Sequence, residues 1–135
     1  MLFAIHKGSV EGYAGGELEV LHLFSTVEAV AAAGLGWVLS DGHAEMAPLT
    51  SFYNRLADLD KIDWEIMKSR YWFDSDEHPD RKRRRQAEFL VHDFFPWQLI
   101  QGIGVFGETT ATRVREILAK ANHKPEVSIK RGWYF

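Results

Sequence analysis

The chain has 135 residues, which is enough for a single domain with a buried hydrophobic core. Hydrophobic residues make up 46% of the chain, which argues against disorder, and the net charge of −3 means that nucleic-acid binding would need a local basic patch. The absence of cysteine excludes disulfides, thiolate nucleophiles and cysteine-ligated metal sites. No apolar run approaches the roughly 18 residues that span a bilayer. The N-terminus lacks the features of a signal peptide, so we expect a cytoplasmic protein without membrane contact.

Hydrophobic periodicity predicts a chain of mixed α and β structure, with strands enough for a sheet of five or six. The predicted strands cover 2–6, 18–24, 37–39, 87–91, 99–106 and 127–129. The predicted helices cover 25–34, which opens with a Ser-x-x-Glu capping box, and 49–59, 60–67 and 110–121. In the last helix Val114, Ile117 and Leu118 are expected to face inward. The polar segment 72–85 is predicted to be a loop.

The most distinctive stretch is a run of five cations directly before the predicted strand 87–91. Its members are Arg81, Lys82, Arg83, Arg84 and Arg85. Such runs are usually solvated faces or interaction tails, although they can also attract a polyanion. Residues two apart on a strand share a face, so Gln86 and Glu88 are expected on one face and Phe89 on the other. A glutamate in a core strand is costly unless it is paired or lines a cleft, which makes Glu88 a candidate for chemistry. An edge strand with a polar outer face is the alternative.

Two further candidates have weaker signals. Asp41-Gly42-His43 follows a strand end, where functional loops often lie, although a lone histidine is more often structural. His92-Asp93 is similar to the metal-binding pair of some phosphohydrolases, but the additional spaced histidines of such a site are not evident. The sequence contains no phosphate-binding Gly-x-x-x-x-Gly-Lys-Ser/Thr loop, no Gly-x-Gly-x-x-Gly and no His-Glu-x-x-His. Kinase, Rossmann dehydrogenase and zinc-protease functions therefore have no support.

Several segments, taken in order along the chain, resemble one family. They cover 1–8, 38–44, 51–53, 59–64, 85–88 and the terminal Arg-Gly-Trp-Tyr-Phe at 131–135. This ordered set resembles the DarT family of DNA ADP-ribosyltransferases, the toxins of DarT–DarG toxin–antitoxin systems. The resemblance implies an α+β, ADP-ribosyltransferase-like fold in a single domain over 1–135. Small mixed or antiparallel sheets with flanking helices would form a cleft for NAD⁺.

The resemblance also implies a reaction, namely transfer of ADP-ribose from NAD⁺ to a thymidine base of single-stranded DNA without a metal. By match to the Gln-Ala-Glu motif, Glu88 falls on the catalytic glutamate, and Gln86 falls where related transferases contact or select the acceptor. His43 is implied as a catalytic or NAD⁺-binding residue of the cleft, and Tyr53 as an NAD⁺ contact. Breaking the nicotinamide–ribose bond builds positive charge on the ribose, which a fixed carboxylate stabilises as it develops.

The segment 72–85 corresponds to the substrate-recognition loop of this fold. Its cations at 81–85 are expected to contact DNA phosphates, while Trp72, with Tyr71 or Phe73, stacks on bases. Four phosphate contacts would give a slope of about −3 in log affinity against log salt. The resemblance implies a DarG-like macrodomain antitoxin as the protein partner.

Family members carry an N-terminal portion before the segment that matches Met1, and this portion supplies part of the NAD⁺ site. We therefore expect the chain to be the C-terminal part of such a domain, with little or no transferase activity by itself. The alternative is a non-catalytic remnant that binds single-stranded DNA or a protein partner through 81–85. Such a remnant would favour a homodimer through an exposed sheet edge.

Overall fold

A computed structural model describes residues 2–134, and within them the α+β class expected from the sequence is confirmed. The elements in chain order are α1 (Leu2–His6), β1 (His22–Phe24), α2 (Val27–Ala32), β2 (Trp37–Ser40), β3 (Phe52–Tyr53), α3 (Trp64–Lys68), α4 (Arg81–Arg84), β4 (Glu88–Val91), β5 (Gly102–Val105), α5 (Glu108–Leu118) and β6 (Glu126–Ile129). The chain divides into two compact units, one of Val27–Phe95 and one of Met1–Thr26 with Pro96–Phe135. A single domain over 1–135 stays a prediction.

The unit of residues 27–95 is built on an antiparallel sheet in the order β3-β2-β4. Central strand β2 pairs with both neighbours, so that Leu39 lies opposite Phe89 on one side and Tyr53 on the other. This face is the apolar one, because Leu39 is buried and the rings of Trp37 and Phe89 stack with centroids 5.0 Å apart. Buried Val30, Ile62 and Ile66 complete the apolar interior of this unit.

The unit of residues 1–26 and 96–135 is built on a sheet in the order β1-β5-β6. Strand β1 is antiparallel to β5, and β6 is parallel to β5, as expected for two strands joined by a crossover helix. All four residues of β5 are buried. Helix α5 presents its apolar stripe inward through Ala111, Val114 and Leu118.

Two glycines of β5 make room for aromatic rings from other segments. A Cβ at Gly102 would lie 2.1 Å from the ring of Phe24, and a Cβ at Gly104 would lie 2.6 Å from the ring of Trp133. The Tyr134 hydroxyl donates at 2.7 Å to the Val20 carbonyl and lies 3.2 Å from the Gly104 carbonyl. Trp133 and Tyr134 of the terminal motif therefore pack on β5, and Trp133 stays 43% exposed.

The structure corrects several predicted elements. Residues 2–6 form helix α1 rather than a strand, because a run of four apolar residues followed by a histidine has no periodicity that separates the two. Segment 49–59 contains strand β3 and part of a 3₁₀ segment, Leu56–Lys61, instead of a helix. The predicted loop 72–85 ends in α4. Ile117 is 68% exposed and does not face inward.

The structure also replaces the predicted sheet of five or six strands by two three-stranded sheets. The small sheets implied by the family resemblance are confirmed. None of the helices within residues 2–134 combines the length and apolar character needed to cross a membrane.

We predict that Gly102→Ala destabilises the protein by about 1–3 kcal/mol, because the new methyl group collides with the Phe24 ring inside a packed sheet. Urea unfolding followed by far-UV circular dichroism measures the change. Gly132→Ala is the matched control, since a Cβ there meets no atom within 4 Å. Equal stabilities of the two variants would contradict the prediction.

Candidate functional site

The carboxylate of Glu88, at the first residue of β4, is held by one backbone hydrogen bond. Its Oε2 accepts from the Ala44 N–H at 2.8 Å. Within residues 2–134, Oε1 has no hydrogen-bond partner, and the side chain is 35% exposed. One oxygen is thus anchored, while the other is left without a partner in the described part of the chain, on a side chain that is partly exposed to solvent. The rigid carboxylate predicted from the sequence is present, and it is partly solvated rather than buried.

Ser40 connects the backbone of Glu88 to the turn that follows β2. It lies directly opposite Glu88 in the β2–β4 register and is completely buried. Its hydroxyl accepts from the Glu88 N–H at 3.2 Å and donates to the Gly42 carbonyl at 2.7 Å. Both hydrogen-bonding roles of the hydroxyl are therefore used to join strand β4 to the Asp41–Ala44 turn.

His43 lies in this turn, close to Glu88 but not hydrogen-bonded to it. Its Nδ1 is 3.9 Å from Glu88 Oε2, which is too long for a hydrogen bond. The Glu45 N–H donates to Nδ1 at 3.2 Å, so neutral His43 carries its proton on Nε2. The structure therefore brings the two predicted residues together and leaves the Nε2–H of His43 as a donor.

The turn is part of a loop that is closed at its neck. The Asp41 N–H donates to the Ser51 carbonyl at 3.2 Å, and the Ser51 N–H donates to Asp41 Oδ1 at 2.9 Å. Within the loop, the Thr50 hydroxyl donates to the His43 carbonyl at 3.0 Å. These bonds fix the position of the Ala44 N–H that holds Glu88.

Two of the five cations are bound to carboxylates of the same unit. Arg83 lies 3.2 Å from Asp41 Oδ1 and 3.2 Å from Asp80 Oδ2. Arg84 lies 2.8 Å from Asp80 Oδ1 and also pairs with Asp63. Their positive charges are therefore largely compensated within the protein.

Arg81 and Arg85 have no carboxylate partner among residues 2–134. Arg85 donates to backbone carbonyls, including that of Ile66 at 2.9 Å, and its guanidinium lies 4.2 Å from the centre of the Trp72 ring. Burial lowers the pKa of Arg85, and the neighbouring charge of Arg81 lowers it further. Arg81 donates to the Phe73 carbonyl at 3.2 Å, and Lys82 is exposed.

Three aromatic side chains lie exposed beside these cations. Tyr71 is 73% exposed, Trp72 47% and Phe73 82%. The Arg81 guanidinium lies 5.9 Å from the centre of the Tyr71 ring. Uncompensated cations next to exposed rings are the combination that single-stranded nucleic acids require.

The structure places Gln86 in a turn before β4, not on the strand face shared with Glu88 that the sequence predicts, and Tyr53 on strand β3. Gln86 lies in a turn in which its N–H donates to the Arg83 carbonyl, so strand alternation does not define its face. Tyr53 lies opposite Leu39, whereas Phe52 lies opposite Ser40 and therefore on the face of Glu88. The predicted role of Tyr53 in NAD⁺ binding gains no support from this arrangement.

The His92-Asp93 pair does not form a metal site in the part of the chain that the structure describes. His92 Nδ1 is 3.3 Å from Asp93 Oδ2, and both side chains are about four-fifths exposed. No group of three or more His, Cys, Asp or Glu side chains within residues 2–134 could hold a metal ion.

Sequence reasoning missed Ser40, the Ala44 N–H and the carboxylates that bind the arginines. Asp80 could have been found, because it stands three and four residues before Arg83 and Arg84, a spacing at which helical ion pairs form. Ser40 and Ala44 carry no such signal, since their roles depend on contacts between distant segments.

Comparison with known proteins yields one family. The family model for "ssDNA thymidine ADP-ribosyltransferase, DarT" matches residues 1–135. A DNA ADP-ribosyl transferase of Thermus sp. (strain 2.9) is 38% identical over 137 residues, which cover 100% of this chain and 63% of that protein. One from Escherichia coli O127:H6 is 32% identical over 135 residues, covering 100% of this chain and 62% of that protein. The chain thus spans about three fifths of these relatives.

Solved structures show the same similarity. The structure of Thermus sp. 2.9 DarT in complex with ADP-ribosylated ssDNA matches with a TM-score of 0.90 at 37% identity, over 99% of this chain and 63% of that one. The structure of the same protein in complex with NAD⁺ matches with a TM-score of 0.88 at 37% identity, over 99% and 66%.

We predict that Asp63 and Asp80, which bind Arg84 and, in the case of Asp80, also Arg83, make stability depend on acid pH. The Ile66 N–H, followed by Arg84, lowers the pKa of Asp63. Desolvation raises the pKa of Asp80, but Arg83 and Arg84 outweigh it and the net pKa is lowered. Because the folded pKa values lie below the unfolded ones, this stabilisation is complete above about pH 4 and is lost as pH falls through the folded values.

Thermal unfolding between pH 2 and pH 6 measures this dependence. Asp63→Asn should show a shallower loss of melting temperature in acid than the wild type, and Asp76→Asn, at an exposed position, is the control. A wild-type melting temperature that stays constant below pH 4 would contradict the prediction.

Proposed function

The chain belongs to the DarT family of ssDNA thymidine ADP-ribosyltransferases, and we propose that it transfers ADP-ribose from NAD⁺ to a thymidine base in single-stranded DNA. The observation that supports this most is the Glu88 carboxylate, anchored through one oxygen and open at the other. The solved complexes of the Thermus sp. relative contain NAD⁺ in one case and ADP-ribosylated ssDNA in another. Their likeness to this chain extends over 99% of its residues.

In this proposal Glu88 acts on the ribose and on the acceptor base. NAD⁺ supplies the ADP-ribosyl group, and nicotinamide leaves as its bond to the ribose breaks. The open Oε1 of Glu88 accepts from a ribose hydroxyl and stabilises the positive charge that develops on the sugar. The same carboxylate takes the proton that the base loses as its bond to the ribose forms.

His43 is proposed to orient a bound substrate. Because the Glu45 N–H occupies Nδ1, the Nε2–H is available to donate to a phosphate, hydroxyl or carbonyl oxygen of a substrate beside Glu88. Roles for Gln86 in acceptor selection and for Tyr53 in NAD⁺ binding stay predictions.

The proposed DNA surface is smaller than the sequence suggests. It consists of Arg81, Lys82 and Arg85, which have no carboxylate partners in the described part of the chain, and of the exposed rings at 71–73. The two carboxylate-bound arginines, Arg83 and Arg84, are left out. Stacking of bases on Tyr71, Trp72 and Phe73 would tolerate different sequences, since every base has a π face.

The biological setting is proposed by analogy with the family. A role as the toxin of a toxin–antitoxin pair, a macrodomain antitoxin as partner and a homodimer through a sheet edge all stay predictions. A cytoplasmic location is proposed, because NAD⁺ and single-stranded DNA are both available there.

We predict that Glu88→Gln lowers ADP-ribosyl transfer at least about 100-fold, because the neutral amide cannot stabilise positive charge on the ribose. The assay follows label from NAD⁺ on thymine-containing and thymine-free oligonucleotides at high protein concentration, so that the low rate expected for this chain alone is still detected. Glu65→Gln, at an exposed position of the same unit, is the control.

The outcomes of this assay separate the proposal from its alternative. Transfer that needs thymine and Glu88 supports the proposal. Oligonucleotide binding without any transfer supports the non-catalytic alternative and contradicts the proposal for this chain.

We predict a slope of about −2 in log affinity for single-stranded DNA against log salt, because three cations rather than four or five contact phosphates at ~0.7 each. Fluorescence anisotropy of a labelled oligonucleotide measures the slope. Lys82→Gln should reduce its magnitude by about 0.7, while Lys120→Gln, on the other unit, should leave it unchanged. A slope near zero would contradict the proposed surface.

A further inference from the structure

We infer that Arg83 is a positioning residue that holds the Asp41–Ala44 turn against Glu88, and that it is not one of the cations that bind DNA. The inference rests on the proposed function for its kinetic consequences, because Glu88 carries that function. The contacts that motivate it are independent of the reaction.

Arg83 binds both ends of the loop between β2 and β3. Its Nη1 lies 3.1 Å from the Asp41 carbonyl, 3.2 Å from Asp41 Oδ1 and 3.4 Å from the Leu49 carbonyl. Its Nη2 donates to Asp80 Oδ2 at 3.2 Å, which holds the guanidinium against its own helix. The side chain is 26% exposed. Two carboxylates already compensate the charge of this guanidinium, so it attracts a phosphate less than the unpaired cations do.

Gly42 allows this approach. A Cβ at Gly42 would lie 3.1 Å from Thr50 Oγ1 and 3.2 Å from two atoms of the Arg83 side chain. Gly42 is buried, so the Arg83 side chain packs directly over the backbone of the turn. In the Asp-Gly pair of the sequence motif, Asp41 thus binds the Arg83 guanidinium, and Gly42 leaves room for the Arg83 side chain.

Arg83 and Glu88 bind the loop between β2 and β3 at two residues, Asp41 and Ala44. They belong to one short segment, in which α4 is followed by β4. Arg83 holds the neck at Asp41, and Glu88 Oε2 accepts from the Ala44 N–H three residues further on. If Arg83 releases Asp41, the turn loses one of the contacts that hold it, and the Ala44 N–H can shift relative to the Glu88 carboxylate. A displacement of about 1 Å at a catalytic group can cost about 100-fold in rate.

The guanidinium is required for this geometry. An ammonium is a single point charge, whereas the planar fork of arginine contacts Asp41 and Asp80 through different nitrogens. Lysine would therefore keep the positive charge at position 83 but would not contact Asp41 and Asp80 at the same time. If position 83 only bound DNA phosphates, replacing its arginine by lysine would change DNA affinity and transfer rate little.

The kinetic test compares Arg83→Lys, Arg83→Gln and Lys68→Gln, an exposed control on the same unit. We expect both Arg83 variants to lower kcat by about 10-fold to 100-fold, while the KM for the oligonucleotide changes less than about two-fold and the salt slope stays that of wild type. An Arg83→Lys variant with wild-type kcat would overturn the inference. So would a raised KM with a salt slope reduced by about 0.7.

A second measurement does not depend on transferase activity. The Ala44 amide resonance in ¹⁵N-labelled protein reports its hydrogen bond to the Glu88 carboxylate, and Glu88→Gln defines the shift when the carboxylate is lost. We expect Arg83→Gln and Asp41→Asn each to move the Ala44 resonance towards that value, and the double variant to move it no further. Resonances of Leu39 and Phe89, in the centre of the sheet, serve as internal reference for an intact fold.

The two measurements separate the inference from the proposed function. An Ala44 resonance that stays at its wild-type position in Arg83→Gln and Asp41→Asn overturns the inference, whether or not the chain transfers ADP-ribose. A shifted Ala44 resonance in a protein without transferase activity supports the positioning role of Arg83. That outcome contradicts the proposed function but not the inference. If Arg83→Gln lowers the melting temperature so far that the protein unfolds, the Ala44 resonance in Arg83→Lys decides the question.

Discussion

The pairing of Ser40 with Glu88 is the constraint on which the candidate site depends. Strands β2 and β4 could slip by one residue only at the cost of turning every side chain of β4 to the other face. The completely buried Ser40 hydroxyl prevents this, because it bonds both the Glu88 N–H and the Gly42 carbonyl. The apolar face, with Leu39 and Phe89, and the chemical face, with Glu88, are therefore set by one register.

The basic run at 81–85 has five formal positive charges, but carboxylates of the protein compensate two of them, so fewer can attract a polyanion. Five consecutive cations would repel one another in an isolated helical turn. Carboxylates of Asp41, Asp63 and Asp80 relieve this repulsion by binding Arg83 and Arg84. The same contacts fasten α4 to the turn after β2 and to the first turn of α3, so part of the charge serves the internal structure. What remains for a polyanion is the charge of Arg81, Lys82 and Arg85, which have no carboxylate partner among residues 2–134.

Sequence reasoning succeeded where local periodicity and long-range packing agree. Strand β4 and helix α5 were predicted from apolar patterns, and Glu88 stood out because an isolated carboxylate in an apolar strand needs an explanation. The mainly apolar segment 2–6 predicts a strand but forms a helix, since five residues are too few to distinguish the two periods. Ile117 belongs to the apolar stripe of α5 by its spacing and is nevertheless exposed. The spacing shows only which side of the helix is apolar, and not how much of that side is covered by other segments.

The rest of the site could not have been predicted from one sequence. Glu88 depends on the Ala44 N–H, a backbone group that every non-proline residue has and that no pattern marks. Tyr53 illustrates the same point for side chains. Alternation along β3 separates Tyr53 from Phe52, but only the pairing with β2 tells which of the two shares a face with Glu88. Such information lies in contacts between separate segments, which for Ala44 and Glu88 are 44 residues apart.

The two units differ in how their chains are composed, and this has a consequence for the order of folding on the ribosome. Residues 27–95 are continuous, so β2, β3 and β4 can pair while the later chain is still being synthesised. The other unit joins residues 1–26 to 96–135, and its Tyr134 hydroxyl bonds the Val20 and Gly104 backbone. Strand β1 can pair only after β5 has been synthesised, about 80 residues later, and the aromatic contacts on β5 also need Trp133 and Tyr134. During translation the segment that carries Glu88 can therefore become ordered first, while β1 and its apolar neighbours remain available to chaperones.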